Sequence, residues 1–138
     1  MSPKVEPDRD PSTLDLDIRN ILLVDDDEDL SASLKALLES RNFVVTTAGN
    51  GVQALQETMN MDFDAIICDL LMPNMPGDMF YRAVERTKPA LCRRFIFITG
   101  NMILPKTSEF LEELDAEVLS KPFEIDELVD AIGLVSRS

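Results

Sequence analysis

Five short apolar runs, each followed by a stretch with helical periodicity, constrain this chain more than any other feature. Ile21-Leu22-Leu23-Val24, Phe43-Val44-Val45-Thr46-Thr47, Ala65-Ile66-Ile67-Cys68, Phe95-Ile96-Phe97-Ile98 and Ala116–Leu119 read as strands. Between and after them, apolar residues recur at three- and four-residue steps. The stretches carry Leu30, Leu34, Leu37, Leu38 and Arg41; Val52, Leu55 and Met59; Met79, Phe80, Ala83 and Val84; Ile103, Phe110, Leu111 and Leu114, starting near Pro105; and Ile125, Leu128, Val129 and Ile132. Asn50 is placed to cap the second of these helices, and Pro89 to end the third. Glu124 and Asp126 are expected in the first turn of the last, where the helix dipole favours acids. Strands separated by helix-length segments need crossover connections and therefore pair in parallel. Near-continuous apolar strands fit a sheet covered on both faces. The expected fold is α/β: a doubly wound, five-stranded parallel sheet, with its functional crevice outside the carboxyl ends of the strands.

The residues just past each strand are therefore the candidates for chemistry. The first strand delivers Asp25, Asp26 and Asp27, and the third delivers Asp69. The fourth delivers Thr99 and Gly100, and the fifth delivers Lys121 before Pro122-Phe123. In a parallel sheet these positions share one edge. Crowded carboxylates repel and raise each other's pKa unless a cation intervenes. An all-oxygen donor set in an open crevice suits Mg²⁺, or Mn²⁺ in its place. The chain has no histidine, which argues against zinc or copper. Asp69 beside such an ion could act as a nucleophile toward a phosphoryl group, forming an aspartyl phosphate. Lys121 would pair with Asp69 at rest and with a phosphoryl oxygen afterwards, and the Thr99 hydroxyl would bond another. Asp27 is the member of the acidic run best placed to be a helix cap alone. Met72, Met75 and Met79 read as flexible packing, and Phe110 and Phe123 as core or partner-face residues.

The charge balance narrows the partners. With 13 basic and 26 acidic side chains the net charge is −13, so phosphate backbones and anionic lipid surfaces repel the domain. No apolar run reaches transmembrane length, and no signal-peptide segment opens the chain. Cys68 and Cys92 lack metal-type spacing and read as small hydrophobes in a reducing cytoplasm. Residues 1–19, with Pro3, Pro7 and Pro11 among charges, have linker composition, leaving 20–138 as the domain.

The stretches "ILLVDDDE", "IICDLLMPNMPG", "FITG" and "SKPF", in that order, resemble the signature of response-regulator receiver domains. The resemblance spans roughly residues 20–135. It implies a flavodoxin-like (CheY-like) fold with strand order 2-1-3-4-5 and helices on both faces. It also implies Asp69 as phosphoacceptor, Asp26 as a direct magnesium ligand, Asp25 as a ligand through water and the Leu71 backbone carbonyl as a further ligand. Thr99 and Lys121 match the switch hydroxyl and the phosphate-binding lysine, and the Lys121–Pro122 bond is expected to be cis. The implied partner is a histidine kinase or a histidine phosphotransfer protein. The only chemistry is self-catalysed phosphotransfer and autodephosphorylation, not enzymatic turnover of a metabolite. Homodimerisation stays open.

Two positions in this pattern stand out. Val118 occupies the place, three residues before the lysine, where similar domains often carry an aromatic residue. That puts the usual threonine–aromatic coupling in question. Gly100 is small where bulk is expected to obstruct phosphate access. From Arg94 to Phe123 the sequence looks more like the C-terminal receivers of hybrid sensor histidine kinases than like DNA-binding regulators; a free-standing single-domain regulator reads almost identically. Three other readings compete. A phosphatase of the haloacid dehalogenase type needs a second acid two residues after the nucleophile, where Leu71 stands. A non-phosphorylated scaffold would not need the acid, threonine and lysine set. A flavin site would want hydroxyls and amides where this chain has Asp25–Asp27.

Overall fold

Ladder pairing and helix caps account for the element boundaries. A computed structural model describes residues 19–70, 72, 75–100, 105–114 and 116–136. The strands are β1 (Arg19–Val24), β2 (Phe43–Ala48), β3 (Ala65–Asp69), β4 (Phe95–Thr99) and β5 (Glu117–Ser120). The helices are α1 (Glu28–Glu39), α2 (Gly51–Asn60), α3 (Gly77–Thr87), α4 (Pro105–Leu114) and α5 (Ile125–Ser136), with a 3-10 segment over Pro89–Arg94. All four strand pairings are parallel, in the order β2-β1-β3-β4-β5. The expected doubly wound sheet is therefore present. The linker expected over residues 1–19 lies outside the described residues except for Arg19, which already belongs to β1.

Alternation along the strands sends side chains to opposite faces, and each face has its own helices. Ile21, Leu23, Ile67, Ile96 and Ile98 pack with Leu34 and Leu38 of α1 and with Leu128, Ile132 and Val135 of α5. Leu22, Val24, Ile66, Cys68, Phe95 and Phe97 pack with Ala54 of α2, Phe80, Tyr81 and Val84 of α3, and Phe110 of α4. β3 and β4 are buried along their whole length, which is why their sequences read as unbroken hydrophobicity.

Polar side chains start the helices. The Asp27 carboxylate accepts the Leu30 N–H at 3.0 Å and Asn50 Oδ1 accepts the Gln53 N–H at 2.9 Å. Glu124, expected inside the first turn of α5, instead precedes it. Its N–H donates to the Glu127 carboxylate at 3.0 Å and its carbonyl accepts from Glu127 and Leu128, half of a reciprocal cap.

Several expected core positions face solvent. Leu37, Val52, Met59 and Met79 are exposed, while α2 buries Gly51, Ala54 and Thr58 instead. For α2 the reason is a close neighbour in its own layer: α2 packs beside α3, and a Cβ at Gly51 would lie 2.6 Å from Met75 Cβ in the segment just before α3. Small residues take the seam and larger apolar ones are turned outward. Arg41, grouped by spacing with the first helix, lies beyond it and pairs with Asp126 of α5 at 2.8 Å. Cys68 is buried, Cys92 half-buried, and both are free thiols. Among the described residues, no helix is long and apolar enough to cross a membrane.

Candidate functional site

The ends of β1, β3, β4 and β5 each contribute a part of one crevice. The Asp25 N–H donates to the Ala48 carbonyl at 3.1 Å, extending the β1–β2 ladder by one residue. Its carboxylate accepts the Asp27 N–H at 2.9 Å, which fixes the acidic turn before α1 begins. Asp69 is the last residue of β3, and the Leu70 N–H continues onto the Ile98 carbonyl at 3.2 Å. The Lys121 N–H reaches the Thr99 carbonyl at 2.8 Å, so the lysine is tied to the threonine through the backbone. The Lys121–Pro122 peptide is cis, as expected.

The side chains converge. Oxygens of Asp25, Asp26 and Asp69 all lie within 4.8 Å of one another. Lys121 Nζ stands 3.4 Å from Asp69 Oδ2, a loose ion pair. Asp25 and Asp69 are buried, whereas Asp26 is exposed at the mouth. At an effective dielectric of about 20, two like charges at this separation repel by roughly 3 kcal/mol, less where water reaches Asp26. Burial, above all, pushes the Asp25 carboxyl up from its ordinary range, and the neighbouring Asp69 and Asp26 carboxylates add to this; the Asp27 N–H and Lys121 act the other way. Such a set of oxygens is relieved by a hard divalent cation, and the donors present fit Mg²⁺. The backbone carbonyl of Leu71 lies outside the described residues.

Thr99 adds a second unsatisfied feature. It is only 3% exposed, and its Oγ1 is buried without a hydrogen-bond partner among the described residues. A buried hydroxyl left in that state costs about 1–3 kcal/mol, which an incoming anionic oxygen would recover. A Cβ built at Gly100 meets nothing within 4 Å among the described residues. A methyl group has room, so obstruction requires a longer side chain. Val118 is half-buried in β5, directly opposite Phe97 of β4.

One contributor carried no assigned role in the sequence. A Cβ at Gly77 would lie 2.9 Å from the Asp69 carbonyl oxygen, 3.0 Å from Leu70 Cα and 3.2 Å from Cys68 Sγ. The Gly77 N–H also donates to the Leu70 carbonyl at 3.2 Å. The start of α3 can lie against the end of β3 because this residue has no side chain. The Met-Pro-Gly stretch after Asp69 was the available signal, but nothing in it says which backbone atoms approach.

The match to known proteins agrees with this geometry. Residues 21–133 match the family described as "Response regulator receiver domain". The chain is 33% identical over 115 residues to the response regulator receiver protein CpdR of Brucella abortus, covering 83% of this chain and 94% of that one. It is 30% identical over 118 residues to the sensor kinase CckA of the same organism, covering 81% of this chain but 12% of the kinase. Among solved structures, a response regulator receiver domain protein from Clostridium thermocellum superposes with a TM-score of 0.78 at 27% identity, covering 87% of this chain and 95% of that one. This chain and that solved structure share the flavodoxin-like architecture.

Proposed function

We propose that this chain, which belongs to the response-regulator receiver family, is the phosphoacceptor of a two-component relay and takes a phosphoryl group from a kinase or phosphotransfer-protein phosphohistidine onto Asp69. The observation that carries this reading is the convergence of Asp25, Asp26, Asp69 and Lys121 around one crevice. A divalent cation held by Asp25, Asp26 and Asp69, with the Leu71 carbonyl as the remaining proposed ligand, would offset their charge and that of the phosphoryl oxygens. The Asp69 carboxylate attacks phosphorus and the donor imidazole leaves. Lys121 passes from its pairing with Asp69 to a phosphoryl oxygen, and the orphaned Thr99 hydroxyl donates to another. The change at Asp69 from one negative charge to about two, spread over phosphoryl oxygens, is what the rest of the domain responds to. Water later returns the carboxylate, so the chain turns over no external metabolite.

This reading is tested with acetyl phosphate and Mg²⁺. The expected result is an acid-stable, base-labile mass increase of one phosphoryl group that is lost on chelation and in Asp69→Asn. An increase that survives Asp69→Asn overturns the assignment.

The receiver begins with Arg19 of β1 in this proposal, one residue earlier than the sequence suggested, with 1–18 as a linker, and acts in the cytoplasm. Coverage of CpdR along nearly its whole length favours a free-standing regulator over the hybrid-kinase module suggested by Arg94–Phe123. An immunoblot of the native source distinguishes them: a band near 15.5 kDa supports the free-standing form, and a band of kinase size overturns it.

A further inference from the structure

We infer that Phe110 of α4 couples the Thr99 hydroxyl to the surface of α3, through Phe97 and Tyr81 and out to Arg82. The inference rests on the phosphoacceptor reading and extends it from the crevice to a route out of it.

Phe95, Phe97 and Thr99 alternate along β4 and therefore share one face of the sheet. Thr99 is the end of that row whose hydroxyl is buried and unpartnered. Across the ladder from Phe97 stands Val118, whose side chain is too short to cover a phenyl ring. The covering ring comes from α4 instead. Phe110 meets Phe97 edge-on, with centroids 5.6 Å apart, and meets Tyr81 edge-on at the same 5.6 Å. Tyr81 closes the triangle onto Phe97 at 5.9 Å. Outside it, the Arg82 guanidinium lies over the Phe110 ring, 5.2 Å from its centroid. Phe97 is fully buried and Phe110 is 6% exposed, whereas the Arg82 side chain is 47% exposed. The row thus runs from a buried hydroxyl in the crevice to a half-exposed cation on α3.

Close-packed rings do not deform gradually; they repack between discrete arrangements. When the Thr99 hydroxyl turns toward a phosphoryl oxygen, β4 shifts beside Phe97. Phe97 can follow only if Phe110 and Tyr81 repack, which changes what Arg82 stacks on. A ring cluster serving as core alone would hold Phe110 in one environment whatever the state of Asp69.

The test uses the absence of tryptophan from the chain. Phe110→Trp places one reporter in the cluster, and its emission is followed with acetyl phosphate and Mg²⁺ while mass spectrometry measures phosphoryl incorporation. The expected result is an emission change that rises with incorporation, is absent in Asp69→Asn, and is lost per phosphorylated molecule in Thr99→Val. In Phe110→Leu, incorporation is expected within about twofold of the parental chain, since the residue lies outside the crevice. The amide shifts of Tyr81 and Arg82 on phosphorylation should fall by more than half, and Phe110→Tyr should restore them. If Phe110→Leu does not fold, Arg82→Gln removes the surface cation without touching the core. It should leave incorporation and the Tyr81 amide shift intact and remove the phosphorylation-linked shift at position 82; a position-82 shift that persists at full size takes the cation out of the route. Full incorporation with unchanged tryptophan emission and unchanged α3 amides overturns the relay and leaves the phosphoacceptor reading standing. Absence of incorporation in the parental chain overturns the phosphoacceptor reading and the relay with it.

Discussion

Lys121 Nζ lies 3.4 Å from Asp69 Oδ2, although 52 residues separate the two in the chain. The contact is loose for an ion pair, and the lysine is 35% exposed. Lys121 is better placed to exchange partners than to stabilise the fold. Lys121→Gln is expected to change the urea midpoint by well under 1 kcal/mol equivalent. The same change should slow phosphoryl uptake from acetyl phosphate at least tenfold. Parallel unfolding and uptake measurements check both arms, and a large stability loss with unchanged uptake contradicts the assignment.

Thr99→Val should move stability and function in opposite directions. Valine matches threonine in shape and removes the orphaned buried hydroxyl. The unphosphorylated domain is expected to gain about 1 kcal/mol, read by urea denaturation. If the hydroxyl serves the phosphorylated form as proposed, that form should respond less in α3 in Thr99→Val. A variant that is destabilised would mean that the hydroxyl has a partner at rest.

Gly77→Ala should be costly even though alanine favours helices. The added Cβ meets backbone at 2.9 and 3.0 Å, and backbone at the end of β3 cannot yield without moving Asp69. The expected loss is roughly 1–3 kcal/mol of stability, with weakened Mg²⁺ binding by calorimetry. Gly100→Ala is the control, because its Cβ has open space among the described residues. It should change stability by about 0.5 kcal/mol or less.

Asp25 links the crevice to pH. Its carboxyl is raised above 3.8, first by burial and then by neighbouring carboxylates, so the folded state holds this proton more tightly than the unfolded chain does. The stabilisation from the protonated form is fully present below 3.8 and is lost as pH rises through the folded value. At neutral pH the metal-free fold therefore carries a buried charge under strain. Asp25→Asn should raise the Tm of metal-free protein and remove the stabilisation that Mg²⁺ gives the parental chain. Thermal melts with and without Mg²⁺ measure both effects; a lower Tm for metal-free Asp25→Asn contradicts them.

Tyr81 offers a direct optical test of the packing, since it is the chain's single tyrosine and there is no tryptophan. Burial, and then Cys92, push its phenol from 10.0 up to about 12. The neutral phenol contributes stability that is complete below pH 10 and lost as pH rises through about 12. Phenolate absorbance should titrate late in the native protein and near the ordinary value in denaturant. A native midpoint near 10 would place the tyrosine in water.

What the sequence determined is the part of the structure that depends on local direction. Unbroken apolar runs separated by helical spacing dictate parallel pairing, and parallel pairing sends Asp25, Asp26, Asp69, Thr99 and Lys121 to one edge before any distance is known. Asp27 and Asn50 were legible as caps because a cap needs only its own next few residues. The tertiary structure decided what depends on neighbours arriving from elsewhere. Periodicity placed Val52 and Met59 on the apolar stripe of α2, yet the narrow seam with α3 selected Gly51, Ala54 and Thr58 for burial. Three consecutive aspartates look alike in sequence, but one is buried, one faces the mouth and one caps a helix. Val118 announced a missing ring at its own position, and only the packing of α4 showed that Phe110 lies edge-on against Phe97, opposite that valine. Side-chain direction repeats along the chain with the backbone, whereas burial and contact depend on which distant surface closes over it.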